Sequence, residues 1–298
     1  MPLRVNPNLS TDFFAELQIV RRQQNQALQQ LASGSRINAP SDDPAGAAAL
    51  LENQSQSDQV DQFQKNIQDL QPQLQAADSA LSSVVSAVTQ AISLGVEGGN
   101  STLGASNLQS LAQEVSGIRD EILGIANTSV QGQYIFSGTL TKTAPYVLDA
   151  ASPSGVSYQG NTGVNSIQLS NGQTAPINLP GSQLFSNPGG DLFGALQQLI
   201  TALQTGTGVS AATAALSQAF SLLDNVRTFY GTTLNELNNS ETFLSNESVQ
   251  LSTQATQIAG ADLAAATTTL AQTQTATTAL LTSQGKALSL PTLFDFLP

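Results

Sequence analysis

The sequence predicts a mainly α protein: an elongated multi-helix coiled-coil rod formed by both chain ends, with a small β-rich insert domain in the middle. Three observations predict it. Residues 12–32 and 262–290 each carry an apolar seam of period 3.5, diluted with Gln and Thr. Three further stretches between them show the same spacing. Only residues 133–187 break the pattern, with short alternations and Gly/Asn/Pro/Ser punctuation.

The first helix reads Phe13, Leu17, Val20, Gln24, Ala27, Leu31, alternating steps of four and three. Such spacing keeps one stripe facing a partner helix. Residues 33–46 (Ser-Gly-Ser-Arg-Ile-Asn-Ala-Pro-Ser-Asp-Asp-Pro-Ala-Gly) follow as a breaker-rich connection. A second helix is expected from about 42 to 94, its seam running Val60, Phe63, Ile67, Leu70, Leu74, Ala77, Leu81, Val84, Val88, Ile92. Ser41 is the expected N-cap, with Asp42 and Asp43 in the first turn where the helix dipole favours them. Pro72 is expected to bend this helix or break it near Gln68. Gly95, Gly98, Gly99 and Asn100 should end it.

A third helix is expected over roughly 104–130, with Leu108, Leu111, Val115, Ile118, Ile122 and Ile125 on one face. Tyr134, Phe136, Tyr146, Val147 and Tyr158 then fall in a region of short strands and hairpins, with Asn171-Gly172 as a two-residue turn. A short helix at 191–204 and a Gly206-Thr-Gly208 break precede a long helix at about 209–258. Its seam includes Leu216, Phe220, Leu223, Tyr230, Leu234, Leu237, Leu244, Leu251 and Ile258, with polar gaps at Arg227, Glu241 and Ser248. The last helix carries Leu263, Thr267, Leu270, Gln274, Thr277, Leu281, Gln284 and Leu288.

Only four of those eight rear positions are leucines, each worth about 1.5–3 kcal/mol when fully buried. Ordering backbone costs roughly 1–2 kcal/mol per residue before helix bonds and packing offset it. The two terminal helices are therefore expected to pair with one another, to fray in an isolated molecule and to order in an assembly.

Composition narrows the function classes. Charged residues make up 10% of the chain and the net charge is −12. The nine basic residues are scattered apart from Arg21-Arg22, so no patch exists to neutralise phosphates or an anionic membrane surface. No residue run reads as a membrane span, and the opening Met1-Pro-Leu-Arg-Val-Asn-Pro lacks the layout of a cleaved signal peptide. The absence of His and Cys removes the commonest general base and the strongest nucleophile. No cofactor and no enzymatic activity are expected.

Asp42-Asp43 reads better as helix-start chemistry than as a cation site, since no further carboxylate lies nearby in sequence. Glu236, Glu241 and Glu247 fit solvated helix positions. Gly98-Gly99 and Gly189-Gly190 lack the Lys-Ser/Thr of a phosphate loop. In so cation-poor a chain, Arg36 and Arg227 are expected to be paired or bonded to carbonyls, within one subunit or between subunits. Phe294 and Phe296, after Pro291, favour docking onto another chain.

The segment Leu31-Ala-Ser-Gly-Ser-Arg-Ile-Asn-Ala-Pro-Ser-Asp-Asp-Pro-Ala-Gly46 resembles the connection that follows the first helix in the bacterial flagellin superfamily. Gly132-Gln-Tyr-Ile-Phe-Ser-Gly138 leading to Lys142-Thr-Ala-Pro-Tyr146, the compact insert with Tyr158-Gln-Gly-Asn161, and the ending Leu288-Ser-Leu-Pro-Thr-Leu-Phe-Asp-Phe-Leu297 are more similar to the hook–filament junction branch, hook-associated protein 3. Pro-Thr is inserted in that ending and Phe296 stands where Tyr is usual, while the opening Pro-Leu-Arg-Val-Asn-Pro leans towards flagellin.

The resemblance implies an inner-tube helical domain from 1–40 and 261–298, a helical rod from 41–132 and 191–260, and an insert from 133–190. It implies a structural component of the flagellum, outside the cell, exported through the flagellar secretion channel without a cleaved signal. Implied partners are copies of itself, the hook-side junction protein, flagellin and a cytoplasmic export chaperone. The alternatives are flagellin itself, a secreted coiled-coil tip or translocator protein, or an enzyme acting through its acidic residues. Subunit-interface candidates are Phe13, Leu17, Val20, Leu31, Arg36, Asn38, Leu263, Leu270, Leu281, Leu288, Phe294 and Phe296.

Overall fold

The structure is a computed structural model, and it describes residues 9–100, 102–187 and 189–288. Its helices are α1 (Leu9–Ser33), α2 (Pro44–Gly98), α3 (Ala105–Ala126), the one-turn α4 (Gly181–Leu184), α5 (Leu192–Thr205), α6 (Val209–Ala259) and α7 (Leu263–Leu288). Short strands occur only between α3 and α5 among the described residues. The fold is mainly α with a β-rich middle, as the heptad spacing predicts.

The chain packs as two units. One comprises residues 1–59 and 247–298, the other residues 60–246. The boundary falls inside α2 and α6, each of which contributes to both.

In the larger unit the helical seams converge on one core. Leu74, Leu81, Val84 and Val88 of α2, Val115 and Ile122 of α3, Leu196, Leu199 and Leu203 of α5, and Leu216 and Leu223 of α6 are all buried. Small residues let these helices approach closely. A Cβ added at Gly95 would strike Thr213 Oγ1 at 2.5 Å, and one at Gly98 would strike Leu203. By length and composition α2 could pass for a membrane span, with a window of mean hydropathy 1.4, contrary to the sequence expectation. Its buried seam gives those apolar residues a place in the core instead.

The strands form four antiparallel hairpins: β1 (Ser129–Val130) with β2 (Gln133–Tyr134), β3 (Tyr146–Leu148) with β4 (Val156–Tyr158), β5 (Ser166–Ser170) with β6 (Gln173–Pro176), and β7 (Ser186–Asn187) with β8 (Gly190–Asp191). Asn171-Gly172 does join β5 to β6, but only Gly172 has positive φ (83°), so the turn is not of the type I′ kind that Asn-Gly favours. Gln131 (φ 51°) and Gly132 (φ 73°) supply two left-handed residues in the β1–β2 turn.

The hairpins hold an aromatic cluster of Phe136, Tyr146, Tyr158, Phe185 and Phe193, with the Tyr146 ring centred 5.1 Å from those of Tyr158 and Phe193 and tilted 51° and 48° to them. Asn127, just past α3, fixes Tyr146 by exchanging two bonds with its backbone, at 2.8 and 2.9 Å. The Tyr146 hydroxyl donates to the Gly181 carbonyl at 2.8 Å. On α6, buried Tyr230 accepts the Leu179 N–H at 3.2 Å. Burial pushes both phenols well above the ordinary tyrosine value.

One local expectation is narrowed and two are corrected. Pro72 does not break α2, which runs on through it; Pro72 and Gln68 lie on the exposed side, where water can satisfy the freed Gln68 carbonyl. The third helix ends at Ala126, where Asn127 turns the chain, and not at 130. Ser41 is not the cap of α2. Asp43 takes that place, accepting the Gly46 N–H at 2.9 Å, and Pro44 occupies the first helical position, where its missing N–H costs nothing. Asp42 sits before the helix, its carboxylate accepting the Asn38 and Ala39 N–H groups at 3.0 and 2.9 Å.

Candidate functional site

The first and last described helices, α1 and α7, pack along one another within the smaller unit. From α1 the seam is the predicted one. Leu17, Val20 and Ala27 are buried at 8%, 7% and 2% exposure, while Phe13, Gln24 and Leu31 are half-buried.

From α7 the inward face differs from the sequence reading. Ala266 and Thr273 are buried, and Leu270, Thr277, Leu280 and Gln284 are half-buried, again alternating four and three. Leu270, Thr277 and Gln284 belong to both seams. Leu263, Thr267, Gln274 and Leu281 instead lie outside, the two leucines at 51% exposure each. The reason is chemical: α7 is so rich in Ala and Thr that no face is decisively apolar. Its threonines are also self-satisfied. Thr268, Thr269, Thr275, Thr277, Thr278 and Thr282 each donate to the carbonyl four residues back, at 2.7–3.0 Å. With their hydroxyls turned to their own backbone, those side chains can stand inside or outside.

Where α1 ends and α7 begins, the connections 34–43 and 260–262 meet in a clasp. Ser35 and Gly260 form an antiparallel bridge. On either side of it the Arg36 N–H donates to the Ala259 carbonyl at 2.6 Å, and the Ala261 N–H to the Gly34 carbonyl at 3.0 Å. The Ser35 hydroxyl reaches Ala259 O at 3.1 Å. The Arg36 guanidinium donates to Ile258 O at 3.0 Å and to Asp43 Oδ2 at 3.0 Å. It thereby joins the C-terminal carbonyls of α6 to the carboxylate that caps the N-terminus of α2, with charges that suit both helix dipoles.

The Gly46 N–H and the Arg36 guanidinium hold the Asp43 carboxyl below the usual carboxylate range. Asn38 closes the connection on itself, donating to Ser35 O at 2.9 Å. Ile37 is buried over Gly46, where an added Cβ would meet its Cδ1 at 2.5 Å. Asp42 and Asp43 are thus committed to backbone and to Arg36. Among the described residues no group of three His, Cys, Asp or Glu could hold a metal.

The interface candidates divide as follows. Leu17 and Val20 lie inside the α1–α7 pair; Phe13, Leu31 and Leu270 are at its edges; Leu263 and Leu281 are exposed. Arg36 and Asn38 are bonded within the chain, with the Arg36 side chain still 50% exposed. Arg227, in the larger unit, pairs with Asp78 at 3.3 Å. The side chain of Leu288, and Phe294 and Phe296, lie outside the described residues. Phe14 (57%), Ile19 (39%), Leu28 (46%), Leu51 (72%) and Val249 (64%) are the other large apolar side chains exposed on this unit among the described residues, and none of them is a candidate from the sequence. Phe14 and Leu28 could have been found: they stand two heptads apart, beside the seam.

The class defined by these features is a mainly α protein whose first and last described helices pair and leave apolar columns in water. The bacterial flagellin N-terminal helical region matches residues 8–141. Flagellar hook-associated protein 3 of Escherichia coli is 30% identical over 83% of this chain and 85% of its own length. The Salmonella typhimurium protein of the same name is 33% identical over 53% of this chain, a match that spans about half of that relative (49%). Flagellin of Bacillus subtilis is 34% identical over 42% of this chain and 40% of its own.

Among solved structures, the flagellar junction protein FlgL from Legionella pneumophila superposes with TM-score 0.61 at 15% identity, covering 72% of this chain and all of that one. Bacillus cereus FlgL gives TM-score 0.57 at 23% identity, over 70% and 99%. The chain belongs to the flagellar hook-associated protein 3 family, a family of structural flagellar proteins.

Proposed function

We infer that this chain is a structural component of the bacterial flagellum, polymerising at the hook–filament junction as an adaptor between hook and flagellin filament. The supporting observation is the second seam that each terminal helix offers. On α1 the exposed column Phe14, Arg21, Leu28 lies beside Leu17, Gln24, Leu31; on α7 the exposed Leu263, Thr267, Gln274 and Leu281 lie beside Leu270, Thr277, Gln284. A helix with two heptad seams sharing one column suits two helical neighbours. One neighbour is the chain's own other end; the second is a helix of another copy. More than half of the large apolar side chains exposed among the described residues lie on this unit, which holds little more than a third of the chain.

In this reading Leu263, Leu270, Leu281, Phe13, Leu31 and the Phe294/Phe296 tail contact siblings, while Leu17, Val20, Arg36, Asn38 and Leu288 act by ordering the pair. Residues 1–40 and 261–298 form the inner-tube domain, 41–132 and 191–260 the rod, and 133–190 the outward insert. The neighbours along the axis are the hook-side junction protein and flagellin. The chain leaves the cell through the flagellar secretion channel, without a cleaved signal and with a cytoplasmic chaperone. The test is deletion together with labelled electron microscopy. A ring at the hook's end and filamentless hooks in the deletion are expected. Label along the whole filament would instead favour flagellin, the reading that the flagellin relatives support; normal swimming in the deletion would sink both.

A further inference from the structure

The α1–α7 seam is poor at fixing its own register. Its α7 face repeats Ala266, Thr273, Leu280 and Leu270, Thr277, Gln284; its α1 face repeats Phe13, Val20, Ala27 and Leu17, Gln24, Leu31. Sliding one helix by a heptad preserves the four–three spacing of both faces, and on α7 it exchanges residues drawn only from Ala, Thr, Leu and Gln. Such a slip moves it about 10 Å, seven residues at 1.5 Å each.

The clasp is built for the purpose the seam serves badly. Its two backbone bonds bracket Ser35 and Gly260, the residues just beyond α1 and just before α7. Two glycines permit it. Gly34 is left-handed (φ 68°), the C′ conformation in which α1 can stop and turn, and a Cβ on Gly260 would collide with the Thr256 carbonyl oxygen. The Arg36 guanidinium then ties the 34–43 connection to Ile258 O and to Asp43.

We propose that the juxtaposed connections 34–43 and 258–262 form a register clamp, which sets the axial position of α1 against α7 and so the relative heights of the outward columns Phe14/Leu28 and Leu263/Leu281. The clamp rests on the reading that those columns meet other copies. In it, Gly34, Ser35 and Gly260 set position, and the Arg36–Asp43 pair is a positioning device that keeps the 34–43 connection closed.

The absence of cysteine from the natural chain makes the test clean. Spin labels on cysteines replacing Gln29 and Thr278, both exposed and well separated along the pair, report the register. Full-length labelled protein is diluted into unlabelled protein and examined after assembly and as monomer. Without further change, one narrow distance is expected in the assembly. Gly260→Val should add a second population displaced by about 10 Å. Arg36→Gln, which leaves the backbone bridge, should broaden the distribution about the same mean. The same single narrow distance in all three proteins would overturn the clamp. If Gly260→Val fails to assemble alone, traces of the labelled variant incorporated into unaltered polymer decide: a shifted or broadened distance supports the clamp, and an unchanged distance refutes it. Failure of the unaltered chain to assemble would count against the assembly reading alone; exchange of the Arg36 and Ala261 N–H groups in the monomer then tests the clamp, with protection lost in Gly260→Val supporting it and equal exchange in both proteins refuting it.

Discussion

Replacing Leu263 and Leu281 together by Ser separates assembly from folding. Each leucine is 51% exposed, so about half of its side chain remains to be covered by a neighbour. Full burial of a leucine is worth about 1.5–3 kcal/mol, so the uncovered half corresponds to about 1 kcal/mol per residue and about 2 kcal/mol for the pair. At 1.4 kcal/mol per factor of ten, the critical concentration for polymerisation should rise about 30-fold. In the monomer the same positions already face water, and the thermal transition of the larger unit should not move. Sedimentation of polymer across a concentration series reads the first quantity, and near-ultraviolet circular dichroism against temperature reads the second. An unchanged critical concentration would refute the second seam. A monomer destabilised as much as the polymer would show that these leucines belong to the intramolecular pair.

Further outcomes follow from the interior and from the clasp. Leu196→Ala removes a fully buried α5 side chain from the core and should cost about 2–5 kcal/mol of unfolding free energy in urea titrations. Tyr146→Phe leaves the Gly181 carbonyl and the Ser186 hydroxyl without their shared partner; a loss of about 1–3 kcal/mol is expected by the same titration. Asp43 titrates below its ordinary value when folded, so its contribution is fully present above that value and disappears as pH falls through the lowered one. Amide exchange in 34–43 should therefore quicken selectively at acid pH. Arg36 is the cation that faces Asp43, with Asp42 beside it on the same connection; in Asp43→Asn the difference between neutral and acid should largely vanish.

Much of the fold is written in spacing and punctuation. The seams of α2, α3 and α6 are dense in Leu, Val and Ile, so a period of 3.5 leaves one choice of inner face, and the residues it picks, such as Leu74, Val115 and Leu223, are the buried ones. Gly206, left-handed at φ 67°, ends α5 as the Gly-Thr-Gly break implies. Elsewhere local signals compete. In α7 the Ala and Thr content makes two overlapping stripes nearly equivalent, and the pairing with α1 selects the one holding Ala266 and Thr273 over the more leucine-rich one. At the start of α2, Ser41 and Asp43 are both good caps, and Pro44 decides between them by taking the first helical position. The clasp could not be read locally. Arg36 reaches Ile258, more than two hundred residues away, and Asn127 reaches Tyr146 across two hairpin strands.

The ordering of the chain ends by assembly is tested most directly by amide hydrogen exchange, measured residue by residue on dilute monomer and on polymer. Rapid exchange is expected through Leu9–Ser33 and Leu263–Leu288 in the monomer while α3 and α5 stay protected, and strong protection of all four in the polymer. Full protection of both terminal helices in a dilute monomer would contradict it.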